Sequence, residues 1–84
     1  MSQAATDTIR RYLLTTFFEG EDPALLKDDT ALISSGVINS LVLMKLVAFL
    51  ESTFGVRIKA HEMNADYLDT IAQMAQLVGE RRTT

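Results

Sequence analysis

The chain has 84 residues, 48% of them hydrophobic and 23% charged, which is the composition of one small globular domain rather than of a disordered segment. Eleven acidic side chains against eight basic ones leave a net charge of −3, which argues against a nucleic-acid-binding protein because such proteins carry a basic face. The absence of cysteine excludes a disulfide framework, a thiolate zinc site and a cysteine nucleophile.

The first predicted element is an amphipathic helix over residues 4–19. Apolar side chains recur there at the three- and four-residue spacing of one buried helix face. They are Ala5, Ile9, Tyr12, Leu13 and Phe17. Thr6 and Asp7 are the candidates for the N-terminal cap, and Gly20 is expected to end the helix in the left-handed conformation.

A long connection follows over residues 20–39. It begins with Glu21 and Asp22 and holds the only proline, Pro23. Its recurring apolar side chains predict that it lies on the core instead of forming a flexible linker. They are Leu25, Leu26, Leu32, Ile33, Val37 and Ile38. Connections of this length are uncommon in compact domains and usually have a function.

The second predicted helix starts near Asn39 and Ser40, runs to about Phe54 and is closed by Gly55. Its core-facing stripe consists of Leu43, Leu46, Val47, Leu50 and Phe54. Four more apolar side chains lie off that stripe, namely Leu41, Val42, Met44 and Phe49. Packing against the next helix or the long connection explains part of this set. The remainder predicts an exposed apolar patch at the start of the helix, which is typical of a partner-binding surface.

The last third of the chain predicts one short and one long helix. Residues 56–58 form a short extended piece, and residues 61–66 have room for one or two helical turns. Asp69 and Thr70 then cap a last helix that ends at Gly79, before a polar tail over residues 80–84. This helix carries Ile71, Met74, Ala75 and Val78. The prediction is an all-α fold, a small bundle of three main helices, one short helix and a long first loop. We expect a single domain over residues 1–84 with a structured core at about 5–79.

Nothing in the chain favours catalysis or metal binding. His61 is the only histidine, so a multi-histidine metal site is excluded, and we interpret it as an exposed surface residue. A Ser-His-Asp triad built on it is formally possible, but so short a chain offers no substrate pocket around it. No apolar run approaches the roughly 20 residues of a membrane span, and the start of the chain has no signal-peptide pattern. We expect a soluble, cytoplasmic, monomeric protein.

The sequence around Ser40 resembles the signature of the phosphopantetheine-bearing carrier proteins. Residues 33–41 read ISSGVINSL, against the family's usual Gly-Xaa-Xaa-Asp-Ser-Leu. The resemblance continues in DTAL at residues 29–32, LV at 46–47, FLE at 49–51, FGVRI at 54–58 and LDTI at 68–71. It covers about residues 9–78 in the right order and spacing. The chain is therefore similar to acyl, peptidyl, aryl and aminoacyl carrier proteins, which are four-helix bundles.

The resemblance implies a function without catalysis. Ser40, at the start of the second helix, is implied to carry a covalent 4′-phosphopantetheine arm that a Mg²⁺-dependent phosphopantetheinyl transferase takes from coenzyme A. The thiol of the arm would hold acyl or aminoacyl intermediates as thioesters. The implied partners are that transferase, an adenylating or acyl-transferring loading enzyme, and downstream thioester-processing enzymes.

Residue 39 departs from the family pattern. Asn39 stands where the family nearly always has aspartate, so the chain keeps the capping hydrogen bond and loses a negative charge. If an arginine of the transferase normally pairs with that carboxylate, modification is weakened here.

The charge of the second helix indicates which carriers the chain resembles least. Housekeeping fatty-acid carriers are strongly acidic along this helix, whereas here Glu51 is offset by Lys45. We therefore expect partners to dock on apolar side chains beside Asn39 and Lys45, with contacts from Leu41, Val42, Met44 and Phe49. This favours a stand-alone carrier of nonribosomal peptide, polyketide or related secondary-metabolite biosynthesis. A D-alanyl or fatty-acid carrier and an unmodified carrier-fold interaction module are the alternatives.

Overall fold

The computed structural model describes residues 3–20 and 26–82. Four α-helices follow one another in the chain: α1 (Gln3–Thr16), α2 (Ser40–Phe54), α3 (Ala65–Leu68) and α4 (Ile71–Arg82), with a 3₁₀ turn over Ala60–Glu62 before α3. Within the described ranges no residue is in a strand. The predicted all-α arrangement of three main helices, a short third helix and a long first loop is confirmed.

The core lies between the inner faces of the three long helices. Its fully buried side chains include Ile9 and Leu13 of α1, Leu46 and Leu50 of α2, and Ile71, Met74 and Val78 of α4. The long connection adds Leu26, Leu32 and Ile38, so the prediction that it lies on the core is confirmed for these residues. Glu21, Asp22, Pro23 and Leu25 lie outside the described residues.

Helix α1 differs from its prediction at both ends. It begins at Gln3, so Thr6 is a buried residue inside the helix and not its cap. Its last α-helical residue is Thr16, because the N–H groups of Phe17 and Phe18 both donate to the Leu13 carbonyl, at 2.9 and 3.0 Å. Gly20 has a positive φ of 90° but lies four residues beyond the end of the helix.

A row of aromatic rings joins α1 to α2. The Tyr12 ring stacks on Phe49 with centroids 3.8 Å apart and planes 11° apart. Phe17 packs edge-to-face with Tyr12, and Phe54 packs edge-to-face with Phe49, with ring centroids 5.7 and 6.5 Å apart. Phe49 is therefore half-buried against the first helix, and its side chain contributes to packing.

The last helix runs further than predicted. Gly79 lies inside α4, which continues to Arg82. Arg81 in its last turn pairs with the buried carboxylate of Glu62 and donates to the Arg57 carbonyl at 3.0 Å. These contacts lie on the 3₁₀ turn and on the extended piece before it. Residues 80–82 are thus part of the fold and not of a polar tail, while residues 83–84 lie outside the described part.

Thr70 is the N-terminal cap of α4, as predicted. Its hydroxyl accepts the Gln73 N–H and its own N–H donates to the Gln73 side chain, both at 3.0 Å, which forms a reciprocal capping box. Across the described residues, no helix is long and apolar enough to span a bilayer.

Candidate functional site

Ser40 is the first residue of α2 and is exposed to solvent. Asn39 caps the helix, since its side-chain oxygen accepts the Val42 N–H at 2.9 Å and its carbonyl accepts the Leu43 N–H at 2.9 Å. A helix leaves its first N–H groups without intrahelical acceptors, so those of Ser40 and Leu41 point out of the helix end beside the Ser40 hydroxyl. The first turn carries no acidic side chain. The positive end of the helix dipole is thus available to an anion bound at Ser40.

The backbone before Ser40 is a closed loop and not an extended strand. The Ile38 N–H donates to the Leu32 carbonyl at 3.0 Å, and the Gly36 N–H donates to the Ile33 carbonyl at 3.0 Å. Gly36 has a φ of 81°, a left-handed turn that glycine adopts without steric cost. Ile38 is buried, so the residue just before the cap is fixed in the core. This fixes where α2 begins.

The carboxylate of Asp69 holds this loop from the other side. One oxygen, Oδ1, accepts the N–H groups of Leu32, Ile33 and Ser34 at 3.1, 2.8 and 2.9 Å, and Oδ2 accepts the Ser34 hydroxyl at 2.7 Å. These hydrogen bonds, those from Ser34 above all, hold the pKa of Asp69 below its ordinary value of 3.8. The prediction that Asp69 helps to cap the last helix is wrong, because its side chain binds the first loop. The motif LDTI marked this aspartate, but nothing local in the sequence indicated its partners.

An apolar surface surrounds the start of α2. Its exposed members are Val37, Leu41 and Met44, with exposed fractions of 50, 62 and 66%, and we call these three residues the docking patch. Lys45 is exposed beside it. Val42, also predicted for this surface, is partly buried against the core. The apolar character of Val37 predicts a place on the core side of the loop, which is wrong because its side chain is half-exposed while that of Ile38 is buried. Nothing in the sequence distinguishes these two residues.

Phe49 does not belong to the docking patch. Its ring lies on Tyr12, so the structure separates it from the exposed side chains with which the sequence grouped it. A role of its edge in partner binding stays a prediction.

Helix α2 offers no free acidic face. Its two charged residues are Lys45 and Glu51, and the Glu51 carboxylate accepts the Ile58 N–H at 2.8 Å. Glu51 therefore holds the segment after the helix. The electrostatic character of α2 near Ser40 is set by Lys45 and the helix end.

The remaining polar features lie away from Ser40 in the sequence. His61 is exposed, as predicted, with its ring edge-to-face against Tyr67 at 6.0 Å. An open cleft of about 220 Å³ lies between α3 and α4 and is lined by Asp66, Tyr67, Gln73, Gln76, Leu77 and Glu80. Among the described residues, no three His, Asp or Glu side chains converge as a metal site would require.

Comparison with protein families gives a match. The model of a protein family described as "Phosphopantetheine attachment site" matches residues 17–78, which covers α2, α3, most of α4 and the first loop. A search of curated proteins found no significant match.

Proposed function

Since the chain belongs to the phosphopantetheine-attachment family, we propose that Ser40 is the residue that carries the arm. Proteins of this family are non-catalytic carriers, and their cofactor is covalently attached 4′-phosphopantetheine. The observation that supports Ser40 is its place as the exposed first residue of α2, inside the matched region. Ser34 and Ser35, the other serines of this loop, hold hydrogen bonds to Asp69 and to the Ala31 carbonyl.

The residues around Ser40 fit a phosphodiester. The Ser40 oxygen would form a bond to the phosphorus next to the pantetheine of coenzyme A. The pyrophosphate bond would break, adenosine 3′,5′-bisphosphate would leave, and the serine proton would go to a base of the transferase. The N–H groups of Ser40 and Leu41 stabilise the resulting anion at the helix end. When attached, the arm supplies a thiol for thioesters, which the chain itself lacks because it has no cysteine.

The docking patch supports a partner with an apolar contact surface. A carrier domain is handled by a phosphopantetheinyl transferase and by further partner enzymes. Leu41 and Met44 lie one and four residues after Ser40 on exposed positions of the same helix, so an enzyme that reaches the Ser40 oxygen also covers them. With Glu51 engaged by Ile58, these complexes rely on apolar contact with little long-range charge attraction.

We assign the chain to the carriers of nonribosomal peptide, polyketide or related secondary-metabolite biosynthesis. The weakly charged α2 supports this assignment over a fatty-acid carrier, which docks through an acidic helix. A D-alanyl carrier is the nearest alternative, on the GVI and FLE elements of the sequence. Asn39 favours a different second candidate, a carrier-fold module that is never modified and only binds partners.

Intact-protein mass spectrometry tests the proposal. The apo chain is incubated with coenzyme A, Mg²⁺ and a promiscuous transferase, beside Ser40→Ala and the matched control Ser52→Ala, which changes an exposed serine of the same helix. We expect one phosphopantetheine adduct on the wild type and on Ser52→Ala, and none on Ser40→Ala. An adduct that persists on Ser40→Ala would refute the assignment of the residue. No adduct on folded wild-type protein, or on Asn39→Asp, with several transferases would favour the interaction module.

A further inference from the structure

We propose that Asp69 is a positioning residue for the modification of Ser40, because its carboxylate fixes the loop that leads to that serine. This inference rests on the proposed function. Asp69 lies 29 positions after Ser40 in the sequence, and its carboxylate accepts four hydrogen bonds from residues 32–34 of the loop. Its effect on Ser40 is transmitted by the backbone of the loop and not by contact with the reacting atoms.

The carboxylate satisfies backbone groups for which the loop itself has no acceptor. Three successive N–H groups converge on one oxygen at 2.8 to 3.1 Å, in a segment outside any helix. Buried or half-buried N–H groups require partners, and hydrogen bonds to an ionised acceptor are roughly twice as strong as neutral ones. The Ser34 hydroxyl at 2.7 Å fills the second oxygen. This arrangement holds the loop in one conformation.

The anchored residue also holds the start of α2. Leu32 donates its N–H to the Asp69 carboxylate and to the Asp69 carbonyl, and its own carbonyl accepts the Ile38 N–H at 3.0 Å. A continuous path of hydrogen bonds therefore runs from Asp69 through Leu32 to Ile38. Ile38 is followed by the cap, Asn39, and then by Ser40.

Removal of the carboxylate should loosen the loop without unfolding the protein. In Asp69→Ala the Leu32 N–H keeps the residue 69 carbonyl at 2.8 Å, and Leu32 and Ile38 keep their places in the core. The N–H groups of Ile33 and Ser34 lose their acceptor. We therefore expect amide hydrogen exchange to accelerate at Ile33 and Ser34 by about tenfold or more, with a smaller change at Leu32.

The kinetic consequence is a change in KM and not in kcat. If only a fraction of the free variant presents Ser40 correctly, the apparent affinity for the transferase falls by that fraction. The bound complex restores the loop, so the chemical step is unchanged. The loss of hydrogen bonds to a charged group is enough to shift the equilibrium of the loop by about tenfold. We therefore expect the KM for the carrier, measured at saturating coenzyme A, to rise by about tenfold in Asp69→Ala. Asp69→Asn keeps an acceptor oxygen and should lie between Asp69→Ala and the wild type.

The test measures transferase kinetics at a temperature where urea titration shows each variant to be more than about 95% folded. Asp66→Asn is the matched control, because it removes an exposed carboxylate three residues away. Glu62→Gln controls for a loss of stability away from the loop, since it weakens the pair with Arg81. We expect both controls to keep the wild-type KM. Proton exchange at residues 32–34 is followed by NMR on the same samples.

An unchanged KM in folded Asp69→Ala would overturn the proposal, as would an equal rise in the Glu62→Gln control. Unchanged exchange at Ile33 and Ser34 would overturn its structural basis. If the wild type takes no arm at all, the proposed function fails and the positioning role with it. Faster amide exchange at Ile33 and Ser34 in Asp69→Ala would then show that the carboxylate does hold the loop and that only the proposed function has failed.

Discussion

Substitution of Asn39 tests two properties of the start of α2 on which the site depends, the capping hydrogen bond and the preference for a negative charge. The side-chain oxygen of Asn39 accepts the Val42 N–H at 2.9 Å, and no acidic side chain shares the first turn of α2. Asn39→Ala removes the hydrogen bond, whereas Asn39→Asp keeps it and adds a negative charge at the positive end of the helix dipole. The two variants therefore separate the cap from the charge.

The expected free energies of unfolding follow from this geometry. Loss of a capping side chain costs about 1 kcal/mol, and a carboxylate at an exposed helix start adds about 0.5 kcal/mol at low salt. In a domain of this size, 1 kcal/mol corresponds to about 4–8 °C in Tm. The order of stability should be Asp above Asn above Ala at position 39.

Urea unfolding of the apo protein at low salt and at 1 M salt is the assay. Screening by salt should reduce the difference in unfolding free energy between Asn39→Asp and the wild type. The difference between the wild type and Asn39→Ala should stay the same, because it comes from a hydrogen bond. Equal stability of Asn39→Ala and the wild type would refute the capping role. A less stable Asn39→Asp at low salt would show that the helix end does not favour an anion, which would also remove the support for a phosphodiester there.

The same variants separate stability from recognition in the transferase reaction. We expect Asn39→Asp to be modified faster than the wild type by a generic transferase. If the enzyme recognises the charge itself, Asn39→Ala and the wild type will have similar rates. If the cap matters instead, Asn39→Ala will be the slowest. An unchanged or slower rate for Asn39→Asp would show that the missing negative charge at residue 39 does not limit modification.

Three further changes test the remaining structure. Met44→Glu should impair partner reactions and leave the circular dichroism spectrum intact, because Met44 is 66% exposed; a loss of helical signal would contradict its place in the docking patch. The pair with Arg81 lowers the pKa of Glu62, and hydrogen bonds from Ser34 above all lower that of Asp69. The stabilisation by these two carboxylates should be complete above their ordinary pKa values of 4.5 and 3.8 and be lost as the pH falls through the lowered values. Urea titrations from pH 7 to 3 would contradict this if stability rose on acidification. Phe49→Ala should cost about 2 kcal/mol, less than for a fully buried ring, through loss of its stacking on Tyr12, and a neutral effect on urea unfolding would refute the packing role.

The elements predicted best are those whose signals lie within a few residues. Helix α2 begins and ends as predicted because Asn39 supplies the cap and Gly55 adopts a φ of 67°. The capping role of Thr70 is confirmed for the same reason, with Gln73 three residues away. The end of a helix that is fixed by a local cap depends on residues only a few positions away, so the sequence alone is sufficient to predict it.

The predictions that failed depend on partners far away in the chain. The end of α4 is stabilised by Arg81 against Glu62, 19 residues earlier, which outweighs the tendency of Gly79 to end a helix. The exposed fraction of Phe49 likewise depends on another helix, because its ring stacks on Tyr12, while its role in partner binding stays a prediction. Hydrophobic periodicity assigns a side chain to a face of its own helix and carries no information about which neighbour covers that face.

The side chains that hold the backbone around the site differ from those of the proposed recognition surface. Asn39 is committed to the Val42 N–H, Glu51 to the Ile58 N–H, and Asp69 to the first loop. The side chains that hold the backbone before and at the start of α2, those of Asn39 and Asp69, therefore lie outside this helix, and Glu51 holds the segment after it. The exposed side chains of the docking patch contribute little to the core. We expect substitutions at Leu41 or Met44 to change the choice of partner at small cost in stability, because surface changes away from caps and buried networks are usually worth less than about 0.5 kcal/mol. A carrier that must be recognised by several enzymes in turn can thus vary its contacts while the geometry of Ser40 stays fixed.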